Sequence, residues 1–240
     1  MIAILRKELN LFFASPIGYL VISVFLVTNG LFLWVFKGDF NILNAGFADL
    51  NSFFYITPWF FIFLIPAITM RSFSDEIRLG TIEILKTKPI SGWQIIMGKY
   101  LGSFVLIILA IIPTLTYVYT VNRLGNPVGN LDFGSTLGSY FGLLFLAGTF
   151  TSIGLFASTL SNNQIVSFII GAIFCFILFY GFDAMAELVS FNNFQVETLG
   201  MNYHFRSLSR GVVDSSDIVY FISFSYLFLS LTKLKFDISK

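Results

Sequence analysis

The chain has 240 residues, of which 56% are hydrophobic and only 11% charged, and Phe alone occurs 31 times. Soluble domains carry about 25% charged residues, so this chain cannot clothe a water-facing surface and reads as a polytopic membrane protein. Fourteen Lys and Arg against thirteen Asp and Glu leave +1, which excludes a basic nucleic-acid binder and an acidic disordered tail; one Cys and one His exclude a disulfide framework and a multi-His metal site.

In chain order, residues 1–14 are amphipathic. Ile2, Leu5, Leu9, Phe12 and Phe13 oppose Arg6, Lys7, Glu8 and Asn10 before Ser15-Pro16 breaks the pattern. This predicts an interfacial helix lying on one leaflet. A crossing helix needs roughly 20 apolar residues, and six segments supply them or come close: 17–36, 53–70, 101–121, 136–160, 165–182 and the short 218–232. The first is read as retained rather than cleaved, because it ends in bulky residues (Leu31 to Phe36) instead of a small-residue cleavage site. With six spans both termini share a side. That side carries ten basic residues (Arg6, Lys7, Arg71, Arg78, Lys86, Lys88, Lys99, Lys233, Lys235 and Lys240) against four opposite (Lys37, Arg123, Arg206 and Arg210). The positive-inside rule therefore makes both termini cytoplasmic.

Residues 183–217 form the longest external stretch, whose apolar clusters (Leu188-Val189, Phe191, Phe194, Val196 and Leu199) predict short helices re-entering the membrane. Asp183 and Glu187, one turn apart, read as a solvated helix end, His204 as a surface residue and Cys175 as packing. Gly138, Gly142, Ala147, Thr151, Gly154 and Ser158 line one stripe of the fourth span. Small residues at such spacing let helices approach closely, either as a seam within the subunit or as a dimer interface. Pro58, Pro66 and Pro113 permit kinks in spans two and three.

No phosphate-binding loop, zinc-protease motif or nucleophile elbow is present, and Gly98-Lys99 is no degenerate copy of the first. The spans lack paired carboxylates, which disfavours a proton-coupled carrier. The densest information lies in the loop 71–100. Residues 75–88 read as one amphipathic helix with Ile77, Thr81, Ile84 and Leu85 on a common face and a Glu83–Lys86 pair. Pro89 stops it, and Ser91 with Gln94 forms a capping box that opens the next helix. A rigid helix held below the membrane suits a helix-in-groove contact with a partner.

These residues carry a family resemblance. Glu76, Gly80-Thr81-Ile82-Glu83-Ile84-Leu85, Pro89-Ile90-Ser91 and Gly98-Lys99 resemble the coupling-helix region of ABC-2 type transporter permeases, and Arg6-Lys7-Glu8-Leu9 is similar to that family's start. With residues 12–20 added, the whole chain resembles the gliding motility-associated ABC transporter permease subunits. The resemblance implies a single all-α permease domain over residues 1–240, with six transmembrane helices and an interfacial helix, in the manner of type V ABC exporters. It implies no catalytic residue, cofactor or metal in this chain, ATP and Mg²⁺ being bound by a cytoplasmic ABC ATPase subunit. The implied ATPase interface is Glu76, Arg78, Gly80, Thr81, Glu83, Ile84, Leu85 and Lys86. The further partners implied are membrane lipid and a second, larger permease with a periplasmic portion. The link 161–164 is too short for a second coupling helix of comparable size, so one main ATPase contact per subunit is expected. Implied placement is the bacterial inner membrane. Competing readings are a permease for a lipid-linked glycan or for metalloenzyme maturation, and a structural anchor that transports nothing.

Overall fold

The computed structural model describes residues 1–188, 196–211 and 213–238, apart from the side chains of Ile17, Lys86 and Leu188. Helix α1 (Ile2–Phe13) is followed by α2 (Pro16–Gly30), which ends in a π turn at Leu31–Val35. Next come α3 (Asn51–Thr69), α4 (Arg71–Arg78) and α5 (Thr81–Lys86). Helix α6 (Gly92–Ile111) passes through a 3₁₀ turn at Ile112–Thr114 into α7 (Leu115–Leu124). Helix α8 (Phe133–Leu160) precedes α9 (Gln164–Phe176), whose π turn Ile177–Gly181 leads into α10 (Phe182–Leu188). Helices α11 (Met201–Ser209) and α12 (Ser215–Ile238) complete the order. Among the described residues there is no strand.

Six helical segments among the described residues are long and apolar enough to cross a membrane: Gly18–Val35, Asn51–Arg78, Gly92–Leu124, Phe133–Leu160, Gln164–Glu187 and Ser215–Ile238. The third begins at the predicted capping box. Gln94 N–H donates to Ser91 Oγ, and Ser91 N–H donates to Gln94 Oε1, each at 3.3 Å. The sixth, short when only its apolar run is counted, extends at both ends to 24 residues. Its polar ends, from Ser215 and past Thr232, are helical because hydrogen bonding continues where hydropathy stops.

Helix α8 is the axis of the bundle and packs against α3, α4, α6, α9, α11 and α12. Its small residues decide who comes close. A Cβ on Gly138 would run into the Leu208 carbonyl oxygen, and one on Gly142 would meet the Phe205 ring at 3.1 Å, both on α11. A Cβ on Gly154 would run into Thr69 Oγ1 on α3. Ser158 is fully buried and donates to Leu155 O. Gly138, Gly142 and Gly154 of the stripe thus pack against helices of the same subunit.

At the end of the bundle away from the termini, α11 lies against α8 as a short cap. The expected re-entrant cluster is described in part, since Val189, Phe191 and Phe194 lie outside the described residues. Two readings made from the sequence are corrected here. His204 is not a surface residue. Its Nδ1 is 2.7 Å from Asp217 Oδ1, its Nε2 2.9 Å from the Thr198 carbonyl oxygen, and its ring stacks on Tyr220 at 3.9 Å. Asp183 is only partly open to solvent and accepts a hydrogen bond from Asn202 of α11, whereas Glu187 is exposed as expected. Both corrections have one cause: α11 folds back onto α12 and α10, and its polar groups find partners there. Cys175 is fully buried, as expected of packing.

Candidate functional site

At the termini-bearing end, Met70 keeps right-handed helical dihedrals (φ −52°, ψ −35°), so α3 runs almost without a break into α4. Span two therefore projects through Arg78. The single helix expected over residues 75–88 is instead two pieces. Gly80 sits at φ +66°, a left-handed conformation that favours glycine and ends one helix before the next begins. This break resets the helical phase. Ile77 and Leu85 stay half-buried and Ile82 is 7% exposed, whereas Ile84, expected on the same face, turns outward at 61% exposure. Leu79 and Glu83 are exposed beside it, as is Arg78, which pairs with Asp75 Oδ1 at 2.9 Å. Thr81 Oγ1 donates to Glu76 O at 3.5 Å across the break. The expected Glu83–Lys86 pair lies outside the described side chains, because that of Lys86 is not described.

The two-piece knob rests on its own apolar base. Phe73, Ile82, Ile95, Ile96, Leu155, Leu229 and Phe236 form a second core beneath it, joined by Ile4 of α1. Gln164, at the first turn of α9, donates to Asp75 and so ties the short link 161–164 to α4.

Beside this core is a cluster of charges that the sequence reading did not assemble. Lys99 is 1% exposed, and its ammonium lies 2.9 Å from Glu8 Oε1 and 3.0 Å from Glu76 Oε1. It donates a third bond to the Ser72 carbonyl oxygen at 2.6 Å and sits 5.0 Å from the centre of the Phe73 ring. Lys7, half-exposed, reaches Glu76 Oε1 at 3.0 Å. The Arg71 guanidinium lies over the Phe12 ring at 4.5 Å. Two carboxylates and two ammonium groups balance, which is how buried charge is tolerated. Three helices meet here: α1 through Glu8, α4 through Glu76, and α6 through Lys99.

Helix α1 reaches Lys99 because two glycines of α6 leave room for it. A Cβ on Gly98 would come within 2.8 Å of Ile4 Cβ, and one on Gly102 within 2.8 Å of Glu8 Cβ. The buried face of α1 is Ile4, Glu8 and Phe12, while Ile2 and Leu11 remain exposed. Glu8, grouped with the polar face by the sequence, is thus on the packed face, while Arg6 is exposed. The signal for Lys99 was present in its surroundings. A lone Lys eight residues beyond the Ser91 cap, flanked by Ile95-Ile96-Met97-Gly98 and Tyr100-Leu101, stands within a helix rather than in a loop, and such a charge needs a buried partner.

Among the described residues, an all-helical bundle with six helices of membrane-crossing length, and a knob at one end joined to its first helix by buried charge, marks a multi-pass membrane protein. The chain belongs to the ABC-2 family transporter proteins, whose family model matches residues 2–223. Members are membrane components of ABC transporters that work with an ATPase subunit. No curated protein matches the sequence significantly.

Proposed function

We propose that this chain is a permease subunit on which a separate cytoplasmic ATPase docks through the α4–α5 knob. The carrying observation is the knob's construction. Leu79 and Ile84 are 67% and 61% exposed, yet the helices presenting them are fixed by the Lys99 cluster and the apolar base beneath. An exposed apolar tip on a rigid mount, ringed by Arg78 and Glu83, fits insertion into a partner's groove. Glu76, Gly80, Thr81, Leu85 and Lys86 complete the surface or hold its shape.

In this reading ATP and Mg²⁺ are held by the partner, and its closure pushes the knob. The push passes through α4 into span two and through Lys99 into span three and α1. Both termini then lie in the cytoplasm and the protein resides in a bacterial inner membrane. The resemblance of the whole chain to gliding motility-associated permeases supports a role in that machinery, beside a second and larger permease subunit. Its work is export or assembly of the machine.

The test is reconstitution of the complex with its ATPase. Ile84→Asp and Glu83→Lys are expected to insert normally but lower permease-stimulated ATP hydrolysis at least tenfold. Full stimulation with both variants would refute docking through the knob. Loss of a motility phenotype on deletion of the chain, restored by the wild-type chain, tests the narrower assignment.

A further inference from the structure

Spans three, four and six enclose an open-sided cavity of about 550 Å³. Flat aromatic faces wall it. Trp93 lies parallel to Tyr226 (9° between planes, centroids 6.1 Å apart), and Phe145 lies nearly parallel to Phe221 at 15°. Gly148 also lines it, with the Tyr100 hydroxyl 2.9 Å from where a Cβ would stand. Of the hydroxyls nearby, Ser225 Oγ is taken up by Thr149 Oγ1 at 3.0 Å, and the rest of the lining is largely carbon. The surface offered is therefore apolar.

All three walls belong to membrane-crossing segments, where the surrounding medium is hydrocarbon and an apolar cavity does not hold water. A transmembrane helix is about 10–12 Å across and would have to part α6 from α12, which pack together. A single acyl chain needs no such parting. Along α12, Ile222, Tyr226, Leu229 and Lys233 follow at spacings that share one face. Asp237, one turn beyond Lys233, lies against Gly92 at the start of α6, and Lys233 follows the cavity-lining Leu229 by one turn toward that end. Its side chain is 30% exposed and donates one hydrogen bond to Asp237 Oδ2 at 2.6 Å. An ammonium has three donors, so two remain beyond the bond to Asp237. Trp93, in the first turn of α6, is the residue type favoured at a membrane interface.

We propose that this groove seats one acyl chain of an anionic phospholipid from the leaflet at the termini-bearing end, with the phosphate of its headgroup at Lys233. The groove shares Trp93, Met97, Tyr100 and Leu229 with the apolar base beneath the knob, and lipid seating there does not depend on ATPase docking. A bound lipid here braces span six against span three, below the point where the knob's motion enters the bundle.

The test uses the full-length chain with Trp34→Phe and Trp59→Phe, which leaves Trp93 as the emitter, in phosphatidylcholine vesicles. Phosphatidylglycerol brominated in its acyl chain is expected to quench Trp93 half-maximally at a several-fold lower mole fraction than brominated phosphatidylcholine. Lys233→Gln should remove that preference, and Ser225→Phe, which fills the groove, should abolish the excess quenching. Equal quenching by the two lipids overturns the proposal, as does excess quenching that survives Ser225→Phe. If Ser225→Phe fails to fold, the lipid comparison and Lys233→Gln still decide. Disulfide formation between copies through Tyr226→Cys, with no lipid-specific quenching, makes the groove a protein interface and also overturns it.

Discussion

Lys99 Nζ and Glu8 Oε1 are 91 residues apart in the chain and 2.9 Å apart in space, with both side chains out of water. The contact joins the first helix to the third span, and Glu76 on the same ammonium joins both to the extension of the second. The three elements that surround the proposed docking knob thus share one cation.

Removing that cation leaves buried Glu8 without its ammonium and Glu76 with Lys7 alone. Lys99→Met is expected to destabilise the chain by about 3–5 kcal/mol, the usual cost of breaking a buried pair from one side. Adding Glu8→Gln to Lys99→Met should recover part of that loss, with a coupling energy of about 0.5–3 kcal/mol in a double-mutant cycle. Denaturant unfolding in detergent measures all four corners. Additive losses would show that the two groups do not interact.

Gly80 holds the break between α4 and α5 at φ +66°. Gly80→Val is expected to cost about 1–2 kcal/mol and to turn Ile84 away from its exposed position, lowering ATPase stimulation. Gly80→Asn, which tolerates left-handed backbone, should retain most of the activity. Amide exchange over residues 81–86 reports the local change, and equal behaviour of the two variants would remove the conformational explanation.

Gly138 receives the backbone of α11. Gly138→Leu overfills that seam at an expected cost of about 1–3 kcal/mol. Amide exchange should accelerate across residues 201–209 and stay unchanged across 81–86. A dimer-interface role predicts the contrary result, an altered association state with α11 still protected.

His204 and Asp217 hold α11 to span six, and Asp217 is 2% exposed. His204→Leu strands that carboxylate and is expected to cost about 1.5–3 kcal/mol, the worth of a hydrogen bond to a charged group. His204→Leu with Asp217→Asn should lose less than the single change. Thermal unfolding followed by intrinsic fluorescence compares the two.

The six crossings, the amphipathic first helix and the Ser91 cap were legible in the residues because each is a local property. Hydropathy over some twenty positions and hydrogen bonding over four do not depend on what lies opposite. The knob was legible as a place but not as a shape. Its amphipathic period runs smoothly through Gly80, and nothing local says that this glycine takes a left-handed turn and sends Ile84 outward. The burial of Glu8, the partners of Lys99 and His204, and the use of the glycine stripe within one subunit were decided by tertiary structure alone. Each depends on which helix comes to lie alongside, and a charge or a missing side chain has no meaning in packing until its neighbour, 13 to 91 residues away, is in place.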